Sequence, residues 1–154
     1  MTTGELELVL NNLEIGLFNL LDEKIRDGDV DSIIFGPKNK SEDFEECSFF
    51  RLIFEDADVK SNGKMYISSQ PIRITSNVNN NDIEYAKQES IRLNSWVADK
   101  IFKDKEFKNM DIVSDVSLTN ILTAYPLEKA KPNQISSGIR IIVDLDLVFQ
   151  CETV

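Results

Sequence analysis

The sequence predicts an α+β fold: a mainly antiparallel sheet of about four strands, with two amphipathic helices packed on one face and projecting loops or a hairpin. Three observations carry this expectation. Two segments repeat apolar residues every three or four positions, one at the start of the chain and one near its middle. Several other segments alternate apolar and polar residues, the strand period. Asn62-Gly63 joins two of these, and that dipeptide favours the tight turn of an antiparallel hairpin.

Gly4 to Ile25 reads as the first helix. Leu6, Leu10, Leu13, Leu17, Leu21 and Ile25 form one apolar stripe, widened by Val9, Phe18 and Leu20. Glu5 and Glu7 suit the positive end of the helix dipole, Lys24 and Arg26 suit the negative end, and Gly28 is a natural stop. Ile33 to Phe35 is a candidate short strand ended by Gly36-Pro37, after which residues 36–48 are charged and loop-like. "FFRLIFEDADV" is a strand, with Phe50, Leu52 and Phe54 on one face and Phe49, Arg51, Ile53 and Glu55 on the other. "KMYISSQPIRITS" returns from the hairpin. Pro71 within it cannot donate a ladder hydrogen bond, so it marks an edge, a bulge or a break.

Asn81, with Glu84 three residues on, predicts a capping box opening a second helix that runs to about Lys105. Ile83, Ala86, Ser90, Leu93, Val97 and Ile101 are its inner stripe, with Trp96 beside them. "DIVSDVSLTNILTAY" follows as a strand, with Ile112, Val116, Leu118 and Leu122 on one face and Asp115, Ser117 and Thr119 on the other. Residues 125–138 read as a long connection, and Ile139 to Gln150 as the last strand. There Ile139, Ile141, Val143, Leu145, Leu147 and Phe149 share one face, and Arg140, Ile142, Asp144, Asp146, Val148 and Gln150 share the other. A length of 154 residues suits a single domain, 1–154, and no internal repeat is visible.

Composition narrows the function. The net charge of −10 repels phosphate backbones and disfavours sequence-independent nucleic-acid binding. No run approaches the ~18 apolar residues of a membrane span, and "MTTGELELVL" lacks the basic start of a signal peptide. The chain has no histidine, the commonest general base and a frequent metal ligand. Cys47 and Cys151 form no zinc spacing and are expected as plain thiols. No phosphate-cradling glycine loop and no nucleophile motif occurs. Asp144-Leu145-Asp146 could bring two carboxylates to one strand face, but a hard cation needs further oxygens, and only Asp115 or Thr119 is at hand. We therefore expect no enzyme activity, cofactor or metal. The mixture of Arg140, Ile142, Asp144 and Asp146 on one face, repeated by Phe49, Arg51 and Ile53, suits contact with another subunit or cover from the same chain.

The order of these parts is itself informative. An amphipathic helix is followed by "FFRLIFEDAD", a hairpin, "PIRITS", the helix "DIEYAKQESIRLNSWVADKIF", and two strands closing with "IRIIVDLDLVFQ". Over nearly the whole chain this resembles the tail terminator (tail-completion, head–tail joining) proteins of tailed bacteriophages and phage-like particles, in order and pattern rather than by a short motif. The resemblance implies a structural virion protein assembled in the host cytoplasm. It would form a ring, expected to be a hexamer, that caps the head-proximal end of the tail tube. Its partners would be further copies of itself, the tail tube protein and a neck or connector protein, with DNA passing through the channel without specific binding and no membrane involved. The subunit-interface candidates are Phe49, Arg51, Ile53, Arg140, Ile142, Asp144 and Asp146, with loops 36–48 and 55–64 facing neighbours or the channel. A neck or head-closure protein, or another tail-assembly subunit, is the alternative within the same class. A small metal-dependent enzyme using Asp144 and Asp146, or a binding module with an exposed sheet, lies outside it.

Overall fold

In the computed structural model, residues 3–36, 48–61, 65–103, 113–128 and 131–149 are described. The chain runs α1 (Thr3–Arg26), β1 (Ser32–Phe35), β2 (Phe49–Phe54), β3 (Asp58–Ser61), β4 (Met65–Asn79), α2 (Ile83–Lys103), β5 (Val113–Glu128) and β6 (Lys131–Phe149). The strands form one sheet in the order β1-β2-β4-β6-β5, with β3 paired to β4. All pairings are antiparallel except β1 with β2. The α+β class follows, with more strands than the four or so expected, because β1 forms and β3 takes up the line that β2 leaves. Among the described residues no helix is long and apolar enough to cross a membrane.

The helices cover one face. In α1, Leu13, Leu17, Leu20 and Leu21 are buried at the spacing that the stripe predicts. Each such side chain contributes roughly 1.5–3 kcal/mol by leaving water. The helix ends where Gly28 adopts φ +82°, a left-handed conformation that side chains disfavour, and its amide caps the Ile25 carbonyl. From below, Phe50 and Leu52 of β2, Ile72 and Ile74 of β4, and Ile139, Ile141 and Val143 of β6 complete the core.

The second helix opens one residue later than the capping box predicts. Asp82, not Asn81, is the cap: its Oδ1 accepts the Tyr85 amide at 3.2 Å, and its own amide donates to Asn80 Oδ1 at 2.9 Å. Glu84 therefore falls short of the box position. The helix docks on β4 and β6 through small polar groups. Ser90 Oγ donates to the Ser76 carbonyl at 2.7 Å and lies 2.7 Å from Ser137 Oγ, while Ser137 Oγ reaches the Ser90 carbonyl at 2.9 Å. Two hydroxyl protons can fill two of these three contacts at a time. Asn94 Nδ2 donates to the Gly138 carbonyl at 3.1 Å. Serines keep the helix close to the strands while pairing the buried polar groups.

Trp96 joins the two helices. It stacks on Phe50, with centroids 6.4 Å apart, and the ammonium groups of Lys24 and Lys100 lie 5.0 and 5.6 Å from its ring centroid. Lys100 also donates to Glu23 of α1 at 2.8 Å.

Two departures from the predicted strands have local causes. Residues 125–138 are no long loop, because β5 continues to Glu128 and β6 begins at Lys131, with Pro126 opposite Ile135. β5 is an edge strand, where a proline is tolerated. Register shifts along β5 also interrupt strict alternation, one of them between Leu118 and Asn120. Leu118 therefore pairs with Ile141 and Ile121 with Ile139, which puts an even- and an odd-numbered residue on the same helix-side face. The turn residues Asn62-Gly63 and the segment 37–47 lie outside the described residues, although Ser61 opposite Met65 is the register a hairpin there needs.

Gly138 should resist replacement, since a Cβ there would meet the Ile74 carbonyl oxygen at 2.5 Å. Gly138→Ala is expected to destabilise the fold by about 1–3 kcal/mol in urea unfolding, the usual range for overpacking. The Lys100 hydrogen bond, with Lys24 and Arg26 nearby, holds the exposed Glu23 carboxyl below the ordinary glutamate range. A lowered pKa contributes stability above the ordinary value and loses it as pH falls through the lowered one. An NMR titration should find the Glu23 midpoint depressed, and Lys100→Met should raise it back.

Candidate functional site

The face of the sheet away from the helices is organised around a proline in its central strand. β2 pairs with β4 as far as Phe54 opposite Ile72, and β3 takes over at Asp58 opposite Ser69. Pro71 sits in the gap. Its carbonyl accepts the Glu55 amide at 3.0 Å. In an antiparallel pair the reciprocal bond would run from residue 71's amide to the Glu55 carbonyl, and proline has no such proton. Gln70 supplies it: the side-chain Nε2 donates to the Glu55 carbonyl at 2.7 Å and to the Pro71 carbonyl at 2.9 Å. Gln70 is 3 % exposed, so the substitute bond is made away from water. The proline thus breaks the partner strand and leaves its own intact.

That handover places the Glu55 carboxylate over two arginines. Arg73 and Arg140 are directly opposite each other on β4 and β6, a like-charge pairing that costs stability when unrelieved. Arg140 Nε lies 3.2 Å from both Glu55 oxygens, whereas Arg73 Nε is 3.6 Å from Oε1, beyond hydrogen-bond range. The Arg73 Nε is buried without a hydrogen-bond partner among the described residues. Thr119, at the β5 register shift, closes on the other side of Arg140. Its Oγ1 accepts from Nη1 at 3.2 Å and donates to the Arg140 carbonyl at 3.1 Å. One carboxylate thus serves two guanidinium groups at this point of the face.

The contact residues expected from sequence divide into two groups. Ile53, Arg140, Ile142 and Asp144 lie together on this face, all partly exposed, with Ile53 opposite Arg73 and Ile142 opposite Pro71. Phe49 and Arg51, expected on the same contact face, are instead buried within the chain. β1 pairs alongside β2 and makes it an interior strand, and Arg51 Nη1 donates to the Gly36 carbonyl at 2.8 Å where β1 ends. Asp146 lies on β6 outside the residues whose side chains are described. A register shift falls between the Ile67–Leu147 and Ser69–Asp144 pairs, so the period-two argument that aligns Asp146 with Asp144 does not carry across it. Cys47, Cys151 and most of the 36–48 loop are also outside the described residues. Sequence reasoning missed Arg73 and Gln70. The signal available was an arginine two residues beyond a mid-strand proline.

The acids form a separate row. Asp58, Ser69, Asp144 and Asp115 are successive cross-strand partners on β3, β4, β6 and β5, and Ser69 Oγ donates to Asp58 Oδ2 at 3.3 Å. Among the described residues, no three side chains of the metal-binding types converge as a cation site.

No protein-family model matches the chain, and no curated protein sequence matches it.

The Gln70 contact can be tested by a double-mutant cycle. Gln70→Leu leaves the Glu55 carbonyl unpaired and should cost about 1–3 kcal/mol in urea unfolding. In a Pro71→Ala background the restored amide can donate to the same carbonyl, so the same change should cost measurably less. Additive costs would show that Gln70 does not stand in for the missing proton.

Proposed function

We propose that the protein is a structural subunit of a phage-like particle: a tail terminator that forms a ring on the head-proximal end of the tail tube, ends tube growth and joins tail to neck. The order and pattern of elements support this reading, as does an α+β body with one sheet face left uncovered by helices. The observation that carries it is the open face itself. Two opposed arginines share one carboxylate, and Ile53 and Ile142 flank them partly exposed. A face built only for water would not carry the apolar pair beside two opposed arginines. A neighbouring subunit with an acidic group and a small apolar surface fits it. The charge of −10 suits a particle that passes DNA without holding it.

Mixing the purified protein with tail tubes of the same particle should give negative-stain images with caps on one tube end and should halt tube elongation. Arg140→Glu should reduce the capped fraction at least tenfold while leaving circular dichroism unchanged. Tubes that keep growing with the unaltered protein present would sink the terminator reading, and binding to the neck complex instead would favour a head-closure subunit.

A further inference from the structure

The two lateral edges of the sheet each carry an exposed apolar patch on the helix side. At the β1 edge, Ile15 and Phe18 of α1 are exposed beside Phe35, and the Phe18 and Phe35 rings stack with centroids 6.4 Å apart. Phe35 pairs with Leu52, a core residue, which places it on the helix side. At the β5 edge, Leu118 and Ile121 pair with the core residues Ile141 and Ile139, yet Ile121 is 68 % exposed because it lies at the sheet margin. Ile91 is exposed on the α2 flank opposite the one where Trp96 and Lys100 meet α1. The patches are unlike in composition, sit at opposite ends of the strand order and lie in the same layer.

We infer that these patches are the two halves of one head-to-tail contact, in which the β5 edge of one copy receives the β1 edge of the next. A step along the strand order carries one edge of the sheet onto the other with the helices still on the same side, which is the geometry of a heterologous interface. Lys87, one turn from Ile91 on α2, is paired with Glu84 of its own helix at 3.6 Å, so the contact rests on the apolar patches. The contact is made by side chains, not by a continued sheet, because the register shifts along β5 spoil its free edge for a regular strand.

Size determines how such a contact behaves. Three partly exposed side chains fall at or below the ~300–600 Å² of a typical monomer's largest apolar patch. A standard stable interface needs about 800 Å² on each partner. A single contact is therefore weak, and each copy gains only by using both edges. This deepens the ring proposed above and rests on it for closure of the series, and it frees the open sheet face for the tube or neck.

Sedimentation velocity on three samples tests it. The unaltered protein should associate reversibly beyond a dimer as concentration rises. Phe18→Asp and Ile121→Asp each spoil one patch on an exposed side chain and should each stay monomeric, with the thermal midpoint kept. An equimolar mixture of the two should form a dimer and nothing larger, because one intact patch of each kind remains per pair. The contact is overturned if either single variant still dimerises by itself, if the mixture stays monomeric, or if the unaltered protein is monomeric up to its solubility limit. Complementation without tube capping would remove the terminator reading and keep the contact. Capping unaffected by both aspartate variants would do the reverse.

Discussion

A proline in the middle of the central strand is the constraint on which the open half of the structure depends. Pro71 cannot donate to a partner strand, so β2 must leave β4 there, and β3 resumes the pairing beyond it. The residues between them are free to bend, and Glu55, first in the gap, is pinned by the Pro71 carbonyl and the Gln70 amide. Its carboxylate is then aimed at Arg73 and Arg140. The charged row on the open face thus follows from a missing backbone proton one position away. A residue at 71 with its own amide could donate to the Glu55 carbonyl directly, and β2 could then continue past that position.

The covered half obeys a different rule. Its apolar strands meet two helices whose stripes match them, but the central contact is polar: Ser90 and Asn94 meet the Ser76, Ser137 and Gly138 positions. Leucines at those positions would bury more area but hold the helix farther from the sheet. The hydroxyls allow close approach and give the helix one register against β4 and β6. Two buried oxygens, Ser76 Oγ and Asn94 Oδ1, remain without hydrogen-bond partners among the described residues, so the register is held at some energetic cost.

These two rules explain what could be read from the chain. The leucine stripe of α1, the inner stripe of α2 and the alternation of β6 from Ile139 to Leu145 are periodic, and each buries the face its period indicates. The missed features all depend on partners distant in sequence or on a lost period. Gln70 bonds to Glu55, fifteen residues away in the gap between β2 and β3. Arg51 looks like a surface residue by alternation and is buried, its Nη1 donating to the Gly36 carbonyl fifteen residues back. The Leu118 and Ile121 faces merge only because the strand's register shifts between them. A single sequence holds no local sign of any of these, whereas a proline inside an alternating strand does warn that the ladder changes there.

Charge adds the remaining constraint on assembly. Each copy carries a net −10, so bringing copies together concentrates like charge, and over distances beyond ~8–10 Å that repulsion is screened by salt. Short-range terms must overcome it: apolar contact at the edges and the arginine pair of the open face. Each of these is modest alone. The open face becomes useful only when an acidic group of a second component lies against it, and the edges become useful only when copies stand side by side. A template that aligns copies supplies both conditions at once, raising the effective concentration of each weak contact for the next. A protein with small apolar edges, a face of mixed charge and strong overall negative charge is therefore suited to remain dispersed until a surface organises it.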